Sequence, residues 1–194
     1  LLAKEVCVTA PRVRISPSPQ MNLYKKYLLP RFLTASMKKE ALEKLRAIVI
    51  PAASGIVAEI GFGPGLNLPY YKNVSKVYAI DPSHELGLFA EKRIKAATFP
   101  TEHLKVSAEA IPLPDNFVDS VVSTWSLCSI PNPTAALQES FRILKPGGKF
   151  IFVEHGKSPN KFAAKIQNAM TPISKLTSGG CHLNRDIEAL IISA

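Results

Sequence analysis

The residues best spaced for chemistry lie around Val57-Ala58-Glu59-Ile60-Gly61-Phe62-Gly63-Pro64-Gly65, an apolar run with one acid that ends in three alternating glycines. The run reads as a buried parallel strand and the glycines as a turn whose backbone must approach something closely. A strand, a glycine turn and a helix build a nucleotide-type pocket at the carboxyl end of a sheet. A dinucleotide fingerprint starting at Gly61 would require a small residue where Leu66 stands. Asp81 follows Gly61 by 20 residues, at the end of a second apolar run. A carboxylate there can accept from both ribose hydroxyls of an adenosine, with helix capping before Pro82 as the competing role.

Further along, polar residues gather where strands should end. Ser107-Ala108-Glu109-Ala110, Trp125-Ser126-Leu127-Cys128 and Glu154-His155 each follow such a run, and Cys181-His182 lies near the end of the chain. His155 and His182 are the residues whose ordinary titration range suits general-base work. Cys7, Cys128 and Cys181 show no metal-ligand spacing, so no metal is expected, and Cys128 reads as a buried, inert thiol.

The elements that must position these groups alternate between the two periods. Strands are expected at Val57–Ile60, Lys76–Ile80, Leu104–Ser107, Phe117–Thr124 and Lys149–Glu154. Helices are expected over Lys38–Ile50, from Leu66 to Tyr71, from Pro82 to about Ala97, over Thr134–Leu144 and near Arg185–Ile192. Lys145-Pro146-Gly147-Gly148 should stop the fourth of these. Such alternation predicts an α/β fold, a doubly wound and mostly parallel sheet of Rossmann type.

At 194 residues, 46% hydrophobic and 20% charged, the chain suits one ordinary globular domain. No apolar run approaches the roughly 20 residues of a membrane span. The odd cysteine count favours a reducing, cytoplasmic setting. Net charge is +9, and residues 1–50 concentrate it, with ten Lys/Arg against three acids. That segment suits either a solvated basic surface or peripheral contact with lipid headgroups. No aromatic-interleaved nucleic-acid motif accompanies the charge, so nucleic acid is not an expected partner. Residues 1–20 read as a disordered or non-native extension, and residues 21–50 as a helical lid.

The alternating glycines with Glu59 two residues before them resemble motif I of the class I S-adenosylmethionine (SAM) methyltransferases. Arg142 to Lys149, Asp81-Pro82-Ser83, Leu127-Cys128-Ser129-Ile130-Pro131, Glu154-His155-Gly156 and Gly179 to Arg185 narrow the resemblance to the type 11 branch. That branch includes thiol S-methyltransferases and, more distantly, the ubiquinone/menaquinone methyltransferases. The resemblance implies SAM as cofactor, held by Glu59, Gly61, Gly63, Gly65, Asp81, Pro82, Ser107, Ala108, Glu109, Trp125 and Ser126. It implies a small-molecule acceptor, a thiol or a lipophilic metabolite; His155 and His182 are the candidates to deprotonate a thiol, with a structural role for either as the alternative. The usual acid beside the adenine is replaced by Ser107.

The family's sheet normally finishes with two more strands, so residues 51–194 read as a C-terminally truncated SAM-binding domain. The fifth strand would then offer an open edge to a second copy, as a homodimer. Two other readings stand beside methyl transfer: a non-catalytic SAM-binding or interaction protein, and an NAD-dependent oxidoreductase.

Overall fold

A computed structural model describes residues 23–194, so the expectation for residues 1–20 lies outside the described residues. Five strands form one parallel sheet: β1 (Ser54–Ile60), β2 (Asn73–Ile80), β3 (Thr101–Leu104), β4 (Val118–Thr124) and β5 (Leu144–Val153). Their spatial order is β3-β2-β1-β4-β5, with every pairing parallel. The order reverses between β1 and β4, so the crevice at their carboxyl ends is where an open α/β sheet binds ligands. The central strands are buried on both faces, which is why their apolar runs are nearly continuous.

The helices are α1 (Leu29–Ser36), α2 (Glu40–Val49), α3 (His84–Ala96), α4 (Pro133–Ile143), α5 (Lys161–Thr177) and α6 (Ile187–Ser193). A π-helical turn, Tyr24–Leu28, leads into α1, and Pro30 sits in the first turn of α1 and does not interrupt it. One face of the sheet packs Val57, Val77, Ala79 and Val122 with Phe62 and Leu68. The other packs Ala58, Ile60, Ile80 and Val121 with Leu127, Leu137 and Ile187.

Several expected boundaries differ. Leu66 to Tyr71 forms only a 3-10 turn at Leu68–Tyr70, because Pro69 supplies no N–H and the Asn67 side chain turns into the core. β3 lies earlier than expected, because Thr101 to Leu104 pairs with Val77 to Ile80. β5 begins at Leu144, which pairs with Val118, and pairing resumes at Lys149 opposite Ser120 past an irregularity in the register. The 17-residue α5 was not expected, although Asn160 caps it by accepting from Phe162 N and Ala163 N.

Candidate functional site: the crevice between the first and fourth strands

The glycine turn follows β1 directly. Gly61 N and Phe62 N both donate to Ile80 O, at 2.8 and 3.2 Å, which ties the turn to the end of β2. Gly61, Gly63 and Gly65 have φ of +66°, +55° and +71°, a region other residues enter at a cost. Their roles nevertheless differ. A Cβ on Gly61 would lie 2.2 Å from Ser126 Oγ, and one on Gly65 would lie 3.0 Å from the Phe62 ring. A Cβ on Gly63 would meet nothing closer than Gly61 O at 3.9 Å. Only Gly63 therefore keeps its backbone bare towards open space; the other two are glycines because the protein itself crowds them.

Asp81 stands at the end of β2 and is 6% exposed. Its Oδ2 accepts from Gly63 N and its Oδ1 from Ser83 N, each at 2.8 Å. Burial raises its pKa, opposed by those two backbone donors. Capping of α3 falls to Ser83, whose Oγ accepts from Leu86 N. The Asp81 oxygens thus keep lone pairs for a further donor, as two ribose hydroxyls would be.

Glu59 does not face the crevice. It is 1% exposed, and its oxygens accept from Asn67 Nδ2 at 2.9 Å and from the Tyr71 hydroxyl at 2.7 Å. Burial lifts its pKa to about 7, against the pull of those two donors and of Arg46. Asn67 also donates to Thr124 Oγ1 and accepts from Arg46 Nε, so Glu59 anchors the turn to β4 and to α2. Sequence reading missed Asn67, Tyr71 and Arg46. A buried acid must find donors, and that was the available signal.

On the opposite wall, Ser107 Oγ accepts from Glu109 N at 3.3 Å, and Ala108 is buried. Glu109 Oε1 accepts from Asn132 N at 2.6 Å, which clips this loop to the start of α4. Pro82 is exposed at the mouth. Trp125 adopts φ +51° where β4 ends, and the Arg46 guanidinium lies 4.7 Å from its ring centroid. Ser126 Oγ donates to Thr124 O, and Ser126 N and Leu127 N donate to Glu154 Oε1. The loop after β4 is therefore fastened to the ends of β1 and β5.

The two histidines occupy one corner. His155 Nε2 lies 3.1 Å from Cys181 Sγ, and His182 Nδ1 lies 3.2 Å from both the Cys128 carbonyl and Arg185 Nη2. The neighbouring Cys128 thiol and the His155 ring hold the Cys181 thiol well below its usual range, and Cys181 in turn raises His155. Neither histidine stands free as a base in this arrangement. The sequence spacing of the cysteines offers no metal-ligand motif, yet the fold brings one set of ligand atoms together. The Cys128, His155 and Cys181 ligand atoms all lie within 4.8 Å of one another, because the turn after α5 folds back onto the loop after β4.

The "Methyltransferase domain" family matches residues 58–152, from β1 to β5. Human thiol S-methyltransferase TMT1A is 30% identical over 174 residues, spanning 82% of this chain and 70% of the relative. The chain belongs to the class I SAM-dependent methyltransferases, type 11 branch. Rat thiol S-methyltransferase TMT1B is 31% identical over 159 residues, 78% of this chain and 64% of the relative. This methyltransferase chain thus spans about two thirds of the length of these curated relatives. A Haloferax volcanii methyltransferase, solved with the Trm112 methyltransferase activator, superposes with a TM-score of 0.67 at 20% identity. The superposition covers 92% of this chain and 76% of that one, a likeness of fold. The β3-β2-β1-β4-β5 order is shared with dinucleotide-binding folds, so family membership separates the SAM and NAD readings where topology does not. SAM fits the residues present: the bare Gly63 backbone leaves room beside it, and Asp81 keeps acceptor capacity at the end of β2.

Proposed function

We propose that this chain transfers a methyl group from SAM to a small acceptor thiol, with lipophilic metabolites as the wider acceptor class. The observation that carries the reading is the likeness to thiol S-methyltransferases along about four fifths of the chain. The donor would lie across the β1–β4 crevice. Gly63 would give its backbone room, Asp81 would bind the ribose, and Ser107, Ala108 and Glu109 would flank the adenine. Trp125 and Ser126 would bound the methionine end, beside buried Leu127 and half-buried Ile130 on the acceptor side. Glu59 supports this set from behind, through Asn67 and Tyr71.

SAM when bound supplies a methyl group already activated by the sulfonium charge. The residues of the chain would align the acceptor in line with that group and exclude water, and positioning of this kind accounts for much of the acceleration in displacement reactions. A panel of alkyl and aryl thiols with methyl-labelled SAM tests the reading. Labelled thioether from at least one thiol is expected. Labelling of RNA or protein, with none of any thiol, would refute it.

A further inference from the structure

We propose that Cys128, His155 and Cys181 form a three-ligand site for a thiophilic divalent metal of the zinc class, whose open fourth position receives the acceptor thiol. The second half of this proposal rests on the thiol reading above; the metal site does not. In a tetrahedral centre with bonds of about 2.0–2.3 Å, donor atoms stand roughly 3.3–3.8 Å apart. Here His155 Nε2 and Cys181 Sγ are 3.1 Å apart, and no pair in the triad exceeds 4.8 Å. A shift of about 1 Å would close the site.

Three separate segments converge on this point, and backbone bonds fix each one. Cys128 follows the loop that Ser126 N and Leu127 N fasten to Glu154 Oε1. His155 is the next residue after Glu154. Cys181 is held by the His182 N bond to Cys128 O at 2.8 Å, and Lys157 N donates to Arg185 O at 2.9 Å. Both cysteines are buried, so the site lies away from bulk solvent.

Glu154, next to His155 in the chain, has a buried Oε2 with no hydrogen-bond partner among the described residues. Soft thiolates with an imidazole select zinc-like ions, and three protein ligands with one vacancy are the pattern of catalytic zinc.

The chemistry joins this corner to the donor crevice, since Cys128 lies in the loop at the carboxyl end of β4, the strand that forms one side of the β1–β4 crevice. A thiol entering the fourth position is deprotonated on coordination and releases its proton to solvent. Its sulfur lone pair then forms the new carbon–sulfur bond as the methyl–sulfonium bond breaks. The electron pair of that bond returns to the donor sulfur, leaving a methyl thioether and S-adenosylhomocysteine.

Cobalt(II) titration of the reduced full chain without oxygen tests the proposal. One equivalent should bind with a thiolate-to-cobalt absorption band that zinc displaces and an added alkyl thiol perturbs. Cys128→Ser, Cys181→Ser and His155→Gln should each weaken binding at least about tenfold, since even groups that only orient a ligand contribute that much. Calorimetric binding of S-adenosylhomocysteine by each variant reports that it is folded and keeps the donor site. Wild-type protein that binds S-adenosylhomocysteine but gives no thiolate band would overturn the metal site. A Cys128–Cys181 disulfide, with no cobalt uptake after reduction, would overturn it in favour of redox chemistry. A band unmoved by any thiol would overturn the acceptor role, and cobalt uptake without S-adenosylhomocysteine binding would count against the proposed function alone.

Discussion

Gly61→Ala and Gly63→Ala add the same methyl group two residues apart, yet they should fail in opposite ways. Both positions have positive φ, so each substitution costs roughly 1–2 kcal/mol for an L-residue in the left-handed region. At Gly63 nothing else is added, because the nearest atom to the new Cβ is Gly61 O, in ordinary contact at 3.9 Å. In a domain of this size that corresponds to a Tm fall of roughly 2–8 °C. At Gly61 the Cβ would overlap Ser126 Oγ at 2.2 Å and Ser126 Cβ at 2.4 Å. Overpacking of this kind adds roughly 1–3 kcal/mol, so the total reaches about 2–5 kcal/mol.

Binding should show the reverse order, since the Gly63 methyl occupies space assigned to SAM. Thermal melts and calorimetric titration with S-adenosylhomocysteine measure both quantities on the same samples. Gly63→Ala should stay folded and lose most of its affinity. The double variant Gly61→Ala with Ser126→Gly should regain the overpacking share of the stability lost. Normal affinity in Gly63→Ala, or wild-type stability in Gly61→Ala, would refute the division of roles between the glycines.

Glu59 makes stability depend on pH. Its folded pKa of about 7 lies above the ordinary 4.5, so the native state keeps a proton that the unfolded chain has released across that window. Stability should therefore be greatest below pH 4.5 in this respect and fall as pH rises through about 7, by up to about 3 kcal/mol from this group. Asp81 and Glu154, also raised by burial, act in the same direction. Urea unfolding at pH 5 and pH 8 should show the fall and Glu59→Gln should reduce it; an identical pH dependence in the variant would contradict the assignment. Asn67→Ala should lower stability by about 2–4 kcal/mol, because it leaves Glu59 and Arg46 short of partners in the core. A Tm within 2 °C of wild type, less than even 1 kcal/mol would produce, would show that the network relaxes.

The parallel sheet and the position of the glycine turn within it were legible because they follow from local signals. The apolar runs of β1, β2 and β4, the glycine turn and Asp81 at a fixed distance beyond it each carry their meaning within a few residues. The functions of the individual glycines were not legible. Gly61 and Gly65 answer to Ser126, Phe62 and Leu68, and for Gly61 the neighbour lies 65 residues away in the chain. The inward turn of Glu59 follows from Asn67 and Tyr71, whose side chains gave no periodic sign. α5 escaped notice because its apolar positions Phe162, Ile166, Met170 and Ile173 are exposed, and Pro172 lies within it. The Cys128–His155–Cys181 cluster depends wholly on tertiary contact, since 27 and 26 residues separate its members and no short spacing motif joins them.

The most direct measurement is a calorimetric titration of the full chain with S-adenosylhomocysteine and, separately, with NAD. One site for S-adenosylhomocysteine is expected, with affinity lost in Gly63→Ala and no saturable heat from NAD. Saturable binding of NAD with none of S-adenosylhomocysteine would contradict a SAM site between β1 and β4.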